Sequence, residues 1–209
     1  MSERAALVKF GCLKHLQELQ DAGLLYMNNL PYFWKIEDDE LRGDPYDSIV
    51  ALERGTKARI FLQDGRELPF RSTRWDIKIP PPEAENINVF CMYALRPSAG
   101  SFPVSERNFD FGDHALLIAD PQQFIDRVAA QLRKERINGK ADLVEYVDDQ
   151  YTGKVGPFKK LSHFAYQSEW RLVCYGGPGG PRKIALGSIR DISIIMPSKE
   201  INERVAIDP

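Results

Sequence analysis

The stretch Tyr166-Gln167-Ser168-Glu169-Trp170-Arg171-Leu172-Val173 decides how this chain is read. It sets a carboxylate and a guanidinium two residues apart inside a strongly apolar, aromatic run. Residues two apart on a strand share a face, so the spacing predicts Gln167, Glu169 and Arg171 on one side. Tyr166, Trp170 and Leu172 take the other side, with Ser168. A strand that is polar on one face and aromatic on the other borders either water or a pocket. Both readings are open at this point.

Working outward, the 209 residues suit one domain with a normal core, and a β-rich insertion within it at 52–82. Net charge is −2 with both signs interspersed, which argues against a broad electrostatic footprint for nucleic acid but leaves room for a local basic groove. No apolar run is long enough to span a bilayer, and Met1-Ser2-Glu3-Arg4 lacks a secretory pattern. Cys12, Cys91 and Cys174 are far apart, odd in number and form no CxxC pair. They read as reduced, mostly buried residues of a cytoplasmic protein, and neither they nor His15, His114 and His163 suggest zinc.

The chain opens as strand, helix, strand. Ala5 to Phe10 is apolar, Leu13, Leu16 and Leu19 recur at helical spacing, Gly23 supplies a stop, and Leu24 to Asn28 is apolar again. Tyr32-Phe33-Trp34, the acidic Glu37-Asp38-Asp39-Glu40 and Gly43-Asp44-Pro45 suggest a long loop with a short helix. Such a loop is either functional or merely covers the core with its aromatics. Ser48 to Ile79 alternates as β-structure around a Gln63-Asp64-Gly65-Arg66 turn. Asn88 to Leu95 predicts a central strand buried on both faces. Ala115 to Ala119 predicts another, followed by a helix with Asp120 as cap, Pro121 at its first position and Phe124, Ile125, Val128 and Leu132 as its apolar face. Leu143 to Val147 reads as a strand, Pro157 to Phe164 as a short helix or turn, and Gly176 to Pro181 as a hairpin connection. Lys183 to Leu186 and Asp191 to Met196 would close the sheet, with a short helix in Lys199 to Val205. The fold class is therefore α+β, with a central, mostly antiparallel or split β-sheet and a few short helices.

Lys9-Phe10, Phe33, Asp44-Pro45-Tyr46-Asp47 and the late Gln167-Ser168-Glu169-Trp170-Arg171 together resemble a group of uncharacterised bacterial and phage proteins, some linked to abortive phage infection. The opening strand, helix and strand are also similar to the DarT-type DNA ADP-ribosyltransferases. The resemblance covers the two ends of the chain, roughly 65 residues, and leaves the β-rich middle unmatched. It implies an NAD-dependent toxin or defence enzyme, with NAD between two halves of a split sheet. It implies Glu169 and Gln167 as catalytic residues, the carboxylate stabilising positive charge as nicotinamide leaves. It implies Lys9, Phe10, Tyr32, Phe33 and Arg171 as cofactor-binding, and a nucleic-acid or protein acceptor. The first strand carries Lys9 where that family places histidine or arginine, and lysine lacks the fork of arginine. Arg71-Ser72-Thr73-Arg74 has letters of another motif of that family, but inside the insertion. The alternatives are a non-catalytic binding protein of a phage–host system and a metal-dependent nuclease or hydrolase using the acidic Asp38-Asp39 loop.

Overall fold

Strand β5 (Asn88–Leu95) is the axis of the main sheet. In the computed structural model the described residues are 6–35, 44, 46–68, 74–96 and 99–205. Strand β1 (Ala6–Gly11) leads through helix α1 (Leu13–Ala22) to β2 (Leu24–Asn29) and a short helix α2 (Leu30–Lys35). Then come β3 (Ala51–Gly55), β4 (Trp75–Ile79), β5, β6 (His114–Ile118) and helix α3 (Pro121–Glu135). After α3 the chain runs through β7 (Gly139–Leu143), β8 (Glu145–Val147), β9 (Gly153–Lys154), β10 (Lys159–Leu161) and β11 (Glu169–Cys174). It closes with β12 (Arg182–Ala185), β13 (Ser193–Pro197) and α4 (Ile201–Arg204).

The opening strand, helix and strand form as the sequence predicts. Gly23 ends α1 at φ 59°, in the left-handed region glycine enters freely. Asp120 caps α3 by accepting from the Gln123 N–H at 2.9 Å, and Pro121 needs no donor at the first helical position.

One edge of β5 is fully paired with β11, from Glu169↔Tyr93 to Cys174↔Asn88, and β11 pairs β7 beyond it. The other edge is shared. β1 is paired there from Ala6↔Leu95 to Val8↔Tyr93, and β2 only at Asn28↔Val89 and Asn29↔Asn88. Both run antiparallel to β5, so they point the same way along one edge and then part. β1 continues against β6, which pairs β13; β2 continues against β12. The main sheet is antiparallel and split, and the molecule is one compact domain.

Alternation along β5 sorts the core. Phe90, Met92 and Ala94 join Trp170, Leu172 and Cys174 of β11 beneath α1 and α3, where Leu16, Leu19, Phe124 and Val128 complete the largest apolar cluster. The other face holds two smaller clusters, one around Val8, Tyr93 and Leu95, the other around Leu30, Val89 and Val173. The polar residues of β11 lie between them.

Several expectations are corrected. The late strand starts at Glu169, because Ser162–Gln167 is a 3-10 turn and Ser168 adopts φ 39°. The strand read at Leu143 to Val147 is two: β7, a polar edge strand, and β8, which leaves to pair β10 in parallel. The Gly176–Pro181 segment is no hairpin, since it carries the chain from β11 to β12 on the far arm of the split. The alternation at Ala58–Leu62 gives only an isolated bridge, Phe61↔Glu67. β3 and β4 do pair, and β9 joins them in a separate three-stranded sheet. Cys12 is exposed and Cys91 half-buried; only Cys174 is buried, and all three are free. The acidic run Glu37–Glu40 and Arg71–Thr73 lie outside the described residues. No helix among those described is long and apolar enough to cross a membrane.

Candidate functional site

Arg171 is the largest fully buried side chain of the molecule's described part, 1% exposed. A guanidinium so placed must have every charge and donor answered. Its Nε donates to Glu169 Oε2 at 2.6 Å. Its Nη1 and Nη2 fork onto Asp47, at 2.7 Å to Oδ1 and 2.8 Å to Oδ2, the planar match that arginine makes and lysine does not. Nη1 also donates to the Pro157 carbonyl at 3.0 Å.

Lys160 of β10 is the second cation, and nothing in its sequence surroundings marks it. Its Nζ donates to Glu169 Oε1 and to Gln167 Oε1, both at 2.7 Å, and lies 3.8 Å from Asp47 Oδ2. The ring of Phe164 covers it at 4.8 Å. Gln167 and Glu169 were expected to share a strand face. They do converge, but through the Ser168 turn, whose hydroxyl donates to the Ala94 carbonyl at 2.8 Å. The Ser48 hydroxyl donates to Asp47 Oδ1 at 2.6 Å, and the Tyr146 hydroxyl accepts from the Glu169 N–H at 2.9 Å.

Two carboxylates and two cations therefore balance. Burial alone would raise the Glu169 carboxyl, but the charges of Arg171 and Lys160 outweigh it and hold it well below the ordinary range. Asp47 is lowered in the same way, Arg171 opposing the cost of its burial. Asp44 is the fifth charge, added to a set already balanced. It is 1% exposed; its Oδ1 accepts from the Tyr46 N–H at 2.9 Å, and its Oδ2 has no hydrogen-bond partner among the described residues. Burial first, then the Asp47 charge, push its carboxyl up to about 6.

The residues expected to hold a cofactor divide between the two faces of the sheet. Phe10 is on the Glu169 face, edge-on to Tyr93 at 6.3 Å, and Tyr93 is the register partner of Glu169. Phe33 packs with Val89 and Val173 on that face, and Tyr32, 43% exposed, meets it edge-on at 5.5 Å. Trp34 of the same helix donates from its indole to the Asp47 carbonyl at 2.9 Å. Lys9 is on the opposite face. Its Nζ lies 4.7 Å above the Phe90 ring and donates to the Cys91 carbonyl at 2.7 Å, where β5 passes the gap between β1 and β2. The half-buried Cys91 thiol sits beside Arg171 in register, and burial and then the Glu169 charge push it up to about 12, which leaves it inert as a nucleophile.

No protein-family model, curated protein or solved structure matches this chain.

Among the described residues no group of three or more His, Cys, Asp and Glu could hold a metal. Asp47 and Glu169 are instead neutralised by protein cations. Two surface hollows of about 440 Å³ lie elsewhere, one beside Gly176 and Arg182, the other beside Asp120 and Arg190. The fit to a dinucleotide is partial. Phe10, Phe33 and Tyr32 border the Glu169 face, whereas both Glu169 oxygens are occupied by Arg171 and Lys160, and Lys9 is across the sheet. His163 stands outside the charged cluster, its Nδ1 2.8 Å from Asp149 Oδ1, both half-exposed.

Proposed function

We propose that the chain is an ADP-ribosyltransferase-like enzyme that uses NAD and modifies a protein or nucleic acid, with Glu169 as its catalytic carboxylate. The observation that carries this reading is the split at β5. Two strands joined by one helix share an edge and part, and the strand on the opposite edge bears Glu169. In this reading Glu169 faces the positive charge that develops on the ribose, and Gln167 positions the acceptor. Arg171 and Lys160 keep the carboxylate ionised, and Phe10, Tyr32 and Phe33 supply the aromatic border. Phage defence or toxicity is the biological setting that the resemblance suggests.

A second reading is favoured by one specific observation. Glu169 is 7% exposed and paired on both oxygens, as a structural lock would be. The protein would then bind a protein or nucleotide without chemistry.

Incubation with labelled NAD and candidate acceptors separates the two. The enzyme reading expects label transfer by the wild type and its loss in Glu169→Gln, with circular dichroism confirming that the variant is folded. No heat of NAD binding in calorimetry, together with no transfer to any acceptor, rejects it.

A further inference from the structure

In the three-stranded sheet β4-β3-β9, strand β4 leaves large apolar side chains exposed. Its register, Ala51↔Ile79, Glu53↔Ile77 and Gly55↔Trp75, sets Trp75, Ile77 and Ile79 on one face. Leu52, Arg54, Asp76 and Lys78 take the other. On that second face Leu52 and Arg54 of β3 are covered, whereas Asp76 and Lys78 of β4 remain exposed. Leu52 is fully buried, and Tyr46 receives both charged residues of β4, its hydroxyl donating to Asp76 at 2.9 Å and its ring lying under Lys78 at 4.7 Å. The first face carries the apolar side chains of β4, with Ile77 55% and Ile79 43% exposed beside the exposed Glu53 of β3. An antiparallel sheet with one wet face ordinarily turns such residues to the core.

Among the described residues β4 is also an edge strand, paired with β3 alone. An exposed edge strand that carries apolar side chains is a template for another strand. The sequence of β4 identifies that strand. Set antiparallel to itself about Ile77, Trp75-Asp76-Ile77-Lys78-Ile79 brings Ile77 opposite Ile77, Trp75 opposite Ile79 and Asp76 opposite Lys78. The last two pairs each occur twice. Apolar residues meet on one face and opposite charges on the other, the combinations that stabilise cross-strand neighbours. Other registers fail. Moving the axis to Asp76 or Lys78 sets like charge against like, a one-residue slip sets Ile77 against a charge, and parallel pairing in register stacks Asp on Asp and Lys on Lys.

We propose that this chain associates with a second copy of itself through antiparallel β4–β4 pairing about Ile77, forming one continuous six-stranded sheet with two-fold symmetry. The proposal is independent of the enzymatic reading. So short a contact gives a weak, concentration-dependent dimer.

Sedimentation analysis of the full chain tests it. The wild type is expected to shift from monomer to dimer as its concentration rises toward about 0.5 mM. Asp76→Lys and Lys78→Asp should each be monomeric, since each sets like charges opposite one another. An equimolar mixture of the two should regain the dimer, because one chain then presents lysine at both positions and the other presents aspartate at both. Ile77→Lys removes the central pair on the exposed face and leaves the Tyr46–Asp76 bond untouched; it too should be monomeric. A wild type that stays monomeric up to about 0.5 mM, or a dimer that survives Ile77→Lys and both charge reversals, overturns the proposal.

Discussion

Asp44 is the residue whose surroundings conflict most with its chemistry. It sits against a cluster already neutral without it, and one of its oxygens has no hydrogen-bond partner among the described residues. Its carboxyl titrates near 6 folded and near 3.8 unfolded. Between those values the folded chain holds a proton that the unfolded chain has lost, so stability falls as pH rises from about 4 to about 6 and stays lower above that. Asp44→Asn keeps the oxygen that accepts from Tyr46 N–H and removes the ionisation. It should therefore stabilise the protein above pH 6 by up to about 3 kcal/mol, at about 1.4 kcal/mol per unit. Urea unfolding across pH should show the two proteins converging below about pH 4; a constant difference at every pH would mean that the ionisation is not the cause.

The split of the sheet is set by elements, and Gly23 is where its second arm is aimed. Its left-handed φ turns the chain from α1 into β2, and its carbonyl accepts from the Leu186 N–H at 3.1 Å. A Cβ there would lie 2.2 Å from the Gly187 carbonyl oxygen. Gly23→Ala meets both the left-handed penalty and that clash, and should cost at least about 2 kcal/mol in urea unfolding, beyond the 1–2 kcal/mol of backbone strain alone. A smaller loss would show that the β12 arm moves aside easily. α1 and its glycine stop were legible because apolar spacing and caps are local signals, as were β5 and α3. The pairing of β12 with β2 was not, since a glycine-rich link after a strand reads as a hairpin and only tertiary pairing decides otherwise. β7 escaped because Gly-Lys-Ala-Asp-Leu, exposed along most of its length at a sheet edge, has no apolar alternation to detect. The polar cluster was half legible. Glu169 and Arg171 announce themselves inside an aromatic run, while Lys160 is one lysine in Lys-Lys-Leu, nine residues from its partner carboxylate.

At the scale of the molecule, that cluster joins parts of the chain far apart in sequence. Arg171 reaches Asp47 across 124 positions, and both also lie beside Lys160. The stretches around Asp47 and around Arg171 thus meet at one buried set of charges. Removing a partner from such a set is costly because the rest stay buried and unpaired. Arg171→Lys keeps the charge but cannot bridge Glu169 and Asp47 together, so it should lose about 3 kcal/mol near neutral pH. The pH dependence supplies an internal check. Glu169 and Asp47 titrate below their unfolded values of 4.5 and 3.8, so the stability they add is complete above those values and is lost as pH falls through the depressed folded ones. In the variant both carboxyls move back toward ordinary values, so its stability should depend less on acid. The gap between the two proteins in urea midpoint should then narrow steadily below about pH 4.5. Salt should leave that gap nearly unchanged from about 0.05 to 1 M, because the charges are buried beyond the reach of screening ions. A gap that closes with salt but not with acid would place the interaction at the surface, and the link between the chain ends would then rest on apolar packing alone.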